Sequence, residues 1–231
     1  MNISNEQLKF EINRYLNISL GNFSIPCPYH INWISSDIYK LLKAANVEDE
    51  KVTEVLKLYK EGKTIHFGHL RGKGSAEEIT DHLSKLIESI GYNLDSITNE
   101  AGIQLMNMFG LGVDCSGFVY HVLKNTLVAQ GENIDDYLQW PDEGKTGVNY
   151  AGATLFANSS ERIEVAEIQS GDFMLLRSSN NPEVYSHIGI FYEDDGLKLA
   201  HSSINSYPNA GVNIISPTIE ENSISFNYRL T

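Results

Sequence analysis

The sequence predicts an α+β protein, and two features of the 231-residue chain favour this class. Apolar residues recur at helical spacing through most of the chain before residue 110. Alternating apolar residues, which are typical of strands, dominate after about residue 170. A group of helices followed by a small antiparallel sheet is an α+β arrangement.

The predicted helices begin and end at recognisable capping residues. The first begins at the pattern Ser4-x-x-Gln7 and is expected to end near Gly21. A later one begins at Ser75, where Ser75-Ala76-Glu77-Glu78 is a second capping box, and ends at Gly91. Further helices are expected over about residues 38–42, 48–61 and 95–108.

The stretch most informative for function is 113–120, Val-Asp-Cys-Ser-Gly-Phe-Val-Tyr. Asp114 is a capping residue type, so Cys115 is expected in the first turn of the helix that follows. The free amides and the dipole at a helix N-terminus lower the pKa of a cysteine, and the thiolate is the nucleophile. A lone cysteine before an apolar run is more often a small buried hydrophobe, so the hypothesis depends on partners elsewhere.

Two histidines lie on strands that are predicted to be neighbours. The segment 185–192 alternates like a strand and contains His187. Asp194-Asp195-Gly196 is typical of a hairpin turn, and His201 lies on the returning segment 197–203. Both side chains are therefore expected on one face of the sheet, although either histidine alone would more often be a satisfied core residue.

Four motifs in a fixed order support a family resemblance. They are Asp114-Cys115-Ser116-Gly117-Phe118-Val119, Gly171-Asp172-Phe173, Ser186-His187-Ile188-Gly189-Ile190 and Ala200-His201-Ser202-Ser203. Over about residues 100–231 this ordered set resembles the NlpC/P60 family of papain-like cysteine peptidases. The chain departs from the family just before the cysteine, where 105–110 is Leu-Met-Asn-Met-Phe-Gly in place of a Tyr and then Trp-Gly-Gly or similar.

The resemblance implies a papain-like core in which the helix that carries Cys115 packs on a small antiparallel sheet. It implies that Cys115 attacks, that His187 is the base and that His201 orients His187. It also implies that Asp172 is structural, because Gly171-Asp172 opens a core strand. No metal or cofactor is expected, since two cysteines and scattered histidines lack zinc-ligand spacing.

The chain is expected to divide into a helical N-terminal cap or subdomain, 1–95, and a catalytic domain, 96–231. The expected substrate contacts are Asp114, Ser116, Ser186 and Arg71.

Three segments between these elements carry open interpretations. Arg71 and Lys73 belong to 66–74, which is either a turn with solvated charges or a site for an anion before a helix. The proline-containing segment 25–33, with Tyr29, His30 and Trp33, either packs on the core or covers the active-site groove. The polar segment 130–160 is expected to be a long insertion or lid.

Composition excludes several classes of partner. A formal net charge of −13 does not favour nucleic acid or anionic membranes, which bind lysine and arginine. No apolar run is long enough to span a bilayer, and the N-terminus lacks the pattern of a secretory signal. A cytoplasmic protein is therefore expected, with secretion by another route left open. The sequence does not indicate an oligomeric state.

The leading hypothesis is a cysteine hydrolase that cleaves an amide bond. The resemblance implies peptides of the bacterial cell wall, or muropeptides, cut next to γ-linked D-glutamate. One alternative is a binding protein that keeps the fold without turnover, which the unusual residues before Cys115 favour. Another is an acyl or amide transferase that uses the same cysteine.

Overall fold

The structure is a computed structural model, and it describes residues 3–30, 43, 48–50, 52–54, 56–57, 72–91, 98–142, 144–205, 210–217 and 225–230. The described helices are α1 Asn5–Leu16, α2 Ala76–Ile90, α3 Asn99–Phe109, α4 Cys115–Ala129 and α5 Ala153–Asn158. The described strands are β1 Ile18–Leu20, β2 Phe23–Ile25, β3 Ser160–Ile163, β4 Phe173–Arg177, β5 Tyr185–Glu193, β6 Leu197–Ser203, β7 Gly211–Ile215 and β8 Ser225–Leu230. Helices and a sheet are both present, as the sequence predicts.

Helices α1 and α2 begin and end at the predicted capping residues, except that α1 ends earlier than predicted. At α2 the Ser75 hydroxyl accepts from the Glu78 amide at 3.1 Å while the Glu78 carboxylate accepts from the Ser75 amide at 2.8 Å. The helix ends at Gly91, whose φ of 71° suits glycine. Helix α1, by contrast, ends at Leu16, and Gly21 with a φ of 59° makes the turn between β1 and β2. The helical pattern did not reveal this short hairpin.

The larger sheet is antiparallel and has the strand order β3-β8-β4-β5-β6-β7. The predicted turn between β5 and β6 is present, with Asp195 at φ 49° and Gly196 at φ 100°. Strand β3 was not predicted, because Glu161 and Arg162 are consecutive exposed residues and interrupt the alternation of apolar and polar residues that indicates a strand. It pairs with β8 at the sheet edge.

Helix α4 joins the sheet to the N-terminal half. It packs on β5 and β6, and α1 packs on α4. The Tyr15 and Phe118 rings meet edge to face with centroids 5.2 Å apart, which is a favourable geometry for aromatic pairs. Buried residues from both sides of position 95 belong to one hydrophobic cluster. The division at 95/96 stays a prediction.

The segment 130–160 is more ordered than a polar insertion suggests. It contains α5 and short 3₁₀ turns at Ile134–Asp136 and Val148–Tyr150. Phe156 of α5 is fully buried, and its ring lies 5.7 Å from that of Phe173. Part of the expected lid is therefore attached to the core. Within the part of the chain that the structure describes, no helix is long and apolar enough to cross a membrane.

Asp172 has the structural surroundings that the family resemblance implies. Its carboxylate is 2% exposed and receives Arg229 Nε at 2.8 Å and Arg229 Nη2 at 2.7 Å. The Gln169 amide donates to the same carboxylate at 2.8 Å. This buried pair joins the start of β4 to β8, and a buried carboxylate is tolerated only when such partners satisfy it.

Replacing Arg229 with leucine is expected to lower the free energy of unfolding by about 3 kcal/mol, because it leaves the Asp172 carboxylate buried without its cation. Chemical denaturation measures the change. Lys145→Leu is the matched control, since the Lys145–Asp142 pair is exposed on both sides and should contribute little. Equal effects of the two substitutions would contradict the structural role of the buried pair.

Candidate active site

Cys115 is the first residue of α4, and Asp114 caps the helix as predicted. The Asp114 carboxylate accepts from the Gly117 amide at 2.7 Å. The Cys115 side chain is 8% exposed, so it lies just beneath the surface. A nucleophile can occupy such a position if a substrate reaches it from the open side.

The two predicted histidines contact each other. The register pairs Gly189 with His201, so His187 lies two residues along β5 on the same face as His201. His187 Nε2 is 2.9 Å from His201 Nδ1, and the ring planes meet at 78°. The contact expected between the base and its orienting residue is present. Their catalytic roles stay predictions.

The sulfur of Cys115 lies against the strand that carries His187. The main-chain amide of Ile188, the next residue after His187, lowers the pKa of Cys115. The amide of Ser116 does so as well. Helix α4, which begins at Cys115, packs on β5 and β6, the strands that carry His187 and His201.

Burial sets the protonation of these groups. Burial raises the pKa of Cys115, and the Asp114 charge raises it further, against the lowering effects of the Ile188 amide and Lys73. Burial and then His201 lower the pKa of His187 to about 4, and burial lowers the pKa of His201. The sequence predicted a lowered cysteine pKa at the helix N-terminus. That prediction omitted desolvation, which outweighs the helix amides here.

Lys73 lies beside the cap of α4. Its Nζ donates to Asp114 Oδ1 at 3.0 Å, to Ser116 Oγ at 2.5 Å and to the Ala151 carbonyl at 3.0 Å. Its side chain is only 14% exposed, which corrects the interpretation of Lys73 as a solvated charge. The sequence did not reveal this pairing, because the partners are 41 or more residues away.

The other expected substrate contacts have different surroundings. Ser116 Oγ also donates to Asp114 Oδ1 at 3.2 Å, so these two side chains bind each other and Lys73. Ser186 is exposed, and its hydroxyl is 3.5 Å from the Leu176 carbonyl. Arg71 lies outside the described residues. The assignment of all four to substrate binding stays a prediction.

The glycine-containing segment 72–74 is bound to the helical layer through its backbone. The Gly72 carbonyl accepts from the Asp114 amide at 2.8 Å, and the Lys73 carbonyl accepts from His121 Nε2 at 2.8 Å. The Gly74 carbonyl accepts from the Tyr15 hydroxyl at 3.0 Å. These bonds fix the backbone that carries Lys73.

The extended segment before residue 31 reaches the site as well. Val113, two residues before the cysteine, donates its amide to the Pro28 carbonyl at 3.1 Å. Burial, and then the Cys115 and Asp114 charges, raise the pKa of Tyr29 to about 12. That Tyr29 covers the active-site groove stays a prediction. Trp33 lies outside the described residues.

A metal site does not emerge from the same groups. Among the described residues, no three His, Cys, Asp or Glu side chains come together in a way that could hold a metal ion.

Comparisons with known proteins give a distant likeness to solved structures. No family model matches the sequence, and no curated protein matches it. A solved structure of an NlpC/P60 family protein from Bacillus cereus ATCC 10987 is similar with a TM-score of 0.34 and 17% sequence identity. The likeness covers 52% of this chain and 32% of that chain, so this chain spans about a third of that protein's length.

Gly117→Ala is expected to destabilise the protein by about 1–3 kcal/mol, although alanine is the better helix former. A Cβ at Gly117 would lie 2.3 Å from the Gly72 carbonyl oxygen and would push the segment 72–74 away from α4. Gly152→Ala is the control, because a Cβ there meets nothing within 4 Å. Thermal and chemical denaturation compare the two. A stable Gly117→Ala protein would contradict the close approach.

Proposed function

We propose that the protein is a cysteine hydrolase of the NlpC/P60 type that cleaves an amide bond. Cys115 is the nucleophile, His187 is the general base and acid, and His201 orients His187. The observation that carries the proposal is the 2.9 Å contact between His187 Nε2 and His201 Nδ1, on strands that pack against the helix that begins at Cys115. A nucleophile, a base and a group that orients the base are the parts that this chemistry needs.

The contact between the histidines assigns their tautomers. If His187 Nδ1 is to accept the thiol proton, His187 Nε2 must carry hydrogen and donate it to His201 Nδ1. The same bond strengthens when His187 becomes positively charged during the reaction. His201 thus holds the ring of His187 in one orientation and stabilises its imidazolium.

The resting pair consists of a neutral thiol and a neutral imidazole, because burial disfavours the charged form of each. The thiol proton therefore moves to His187 as the sulfur–carbon bond forms, and the Cys115 amide stabilises the oxyanion. When the tetrahedral intermediate collapses, the carbon–nitrogen bond breaks and His187 protonates the leaving amine. Water then attacks the thioester with His187 as base, which releases the acid and restores the thiol.

The proposed substrate is a cell-wall-type peptide or muropeptide with a bond next to γ-linked D-glutamate. Support comes from the ordered motifs around Cys115, Asp172, His187 and His201, which resemble those of the family. A cytoplasmic location would suit the recycling of muropeptides.

One observation favours the alternative of a binding protein without turnover. The pKa of Cys115 is raised by burial, whereas an activated cysteine needs a thiolate at the moment of attack. The two functions differ in whether His187 activates the thiol. Transfer to an acceptor other than water would use the same first step and would differ in its product.

Labelling with iodoacetamide at pH 7 tests the activation of Cys115. Alkylation is expected to fall in His187→Ala by about 10²-fold or more, because the base is lost. Mass spectrometry of the peptide that contains residue 115 separates it from Cys27, which is fully buried. Hydrolysis of a γ-D-glutamyl peptide should depend on the same two residues.

Labelling that is unchanged in His187→Ala would favour the binding protein. Labelling that depends on His187, with consumption of the peptide only when an amine acceptor is added, would favour the transferase. In the labelling experiment, which uses no substrate, Ser186→Ala serves as a control for changes on β5, because Ser186 is exposed and takes no part in the proposed proton transfer.

The pH dependence should show an acidic limb near pH 4, well below the usual range of histidine. His187 must be neutral to act as base, and its pKa is lowered to about 4, so it stays competent at pH 5–6 and is lost as pH falls through about 4. A profile of kcat/KM against pH on a γ-D-glutamyl peptide measures this. A limb near pH 6.5 would show that the His187 environment is not desolvated in the working enzyme.

A further inference from the structure

We propose that Lys73 is a positioning residue for the nucleophile: it neutralises the Asp114 carboxylate beside Cys115, so that the helix cap does not oppose the negative charge that develops on the sulfur. This role rests on the proposed cysteine hydrolase function and adds to it a residue from outside the four family-like motifs.

The geometry of Lys73 satisfies its ammonium group completely. An ammonium carries three N–H donors, and Lys73 Nζ has three acceptors at 2.5–3.0 Å: Asp114 Oδ1, Ser116 Oγ and the Ala151 carbonyl. Two of these belong to the residues on either side of Cys115. A substrate carboxylate could bind Lys73 only by displacing one of them, so the charge serves the site itself.

The negative charge of the Asp114 cap explains why a positive charge is needed beside Cys115. A carboxylate is a favourable N-cap, and Asp114 uses it to bind the Gly117 amide at 2.7 Å. The same negative charge lies one residue from a sulfur that must become negative, and like charges oppose each other. The Asp114 charge raises the pKa of Cys115, whereas Lys73 lowers it. The cation thus lets the helix keep an acidic cap next to the nucleophile.

Among the residues that the structure describes, Tyr29, His187 and His201 near the site carry no charge near pH 7. Burial raises the pKa of the Tyr29 hydroxyl to about 12, and burial lowers the pKa of both His187 and His201. Asp114 and Lys73 therefore supply the charges that oppose each other at Cys115.

A purely structural role makes a different prediction. Lys73 joins the segment 72–74 to α4 and to residue 151, and a tether of this kind would affect the melting temperature alone. An electrostatic role also moves the pH at which Cys115 reacts. The two roles are separated by measuring both quantities on the same variants.

The experiment follows alkylation of the peptide that contains residue 115 as a function of pH. Lys73→Gln keeps an amide that can donate hydrogen bonds and removes the charge. The pH midpoint of Cys115 alkylation should therefore rise by about 1 pH unit, which is about a tenfold slower alkylation below the midpoint. Lys73→Arg keeps the charge and should stay near the parent midpoint. Asp114→Asn keeps the cap, because asparagine is a good N-cap, and its midpoint should fall.

The double variant Lys73→Gln/Asp114→Asn avoids an unpaired buried carboxylate and should return towards the parent midpoint. Its alkylation midpoint should lie above that of Asp114→Asn alone. This comparison tests the effect of the Lys73 charge even if Lys73→Gln does not fold. Equal midpoints for those two variants would overturn the proposal and leave Lys73 as a tether.

Failure of this inference is distinguishable from failure of the proposed function, because alkylation needs no substrate. An unchanged midpoint together with His187-dependent hydrolysis would reject the role of Lys73 alone. Labelling that does not depend on His187, without hydrolysis, would reject the hydrolase, and the midpoints would still report whether Lys73 acts on the sulfur.

Discussion

The N-terminus of α4 is the junction on which the arrangement of the site depends. Val113 and Asp114 bind the backbone of segments that are far apart in the chain. The Val113 amide donates to Pro28, its carbonyl accepts from Ser202 Oγ at 2.6 Å, and the Asp114 amide donates to Gly72. Backbone groups buried away from water must be paired, so these bonds fix where each segment lies relative to Cys115. The helix cap, the extended segment, the glycine-containing turn and β6 meet there.

Burial at this junction determines the chemistry that the site can perform. A sulfur in water at a helix N-terminus would be ionised more readily, but here the protein surrounds it and disfavours its charge. The same surroundings keep His187 neutral, so proton transfer in the proposed mechanism does not have to break a stable ion pair. In that mechanism, negative charge on the sulfur needs compensation at the moment of attack. Backbone amides and Lys73 are the groups placed to provide it.

How far the sequence predicts this site depends on the range of the interactions. Local signals predict the cap at Asp114, the start of α4, the Ser75 capping box and the turn at 194–196, because each depends on neighbours within a few residues. Strand alternation places both histidines on one face. The direction of the Cys115 pKa shift was wrong, since desolvation depends on what packs around the sulfur. The hairpin after α1 and the partners of Lys73 likewise depend on tertiary contacts that a local pattern does not contain.

A hydrogen bond and an aromatic contact join the N-terminal half to the segments around Cys115. Its Tyr15 hydroxyl binds the Gly74 carbonyl, and the Tyr15 ring packs on Phe118 of α4. Both contacts hold the backbone next to Lys73 against the helix that carries Cys115. Because a Cβ at Gly117 would collide with Gly72, the two segments approach as closely as backbones can. The first helix is therefore joined to the start of α4 through one continuous set of contacts.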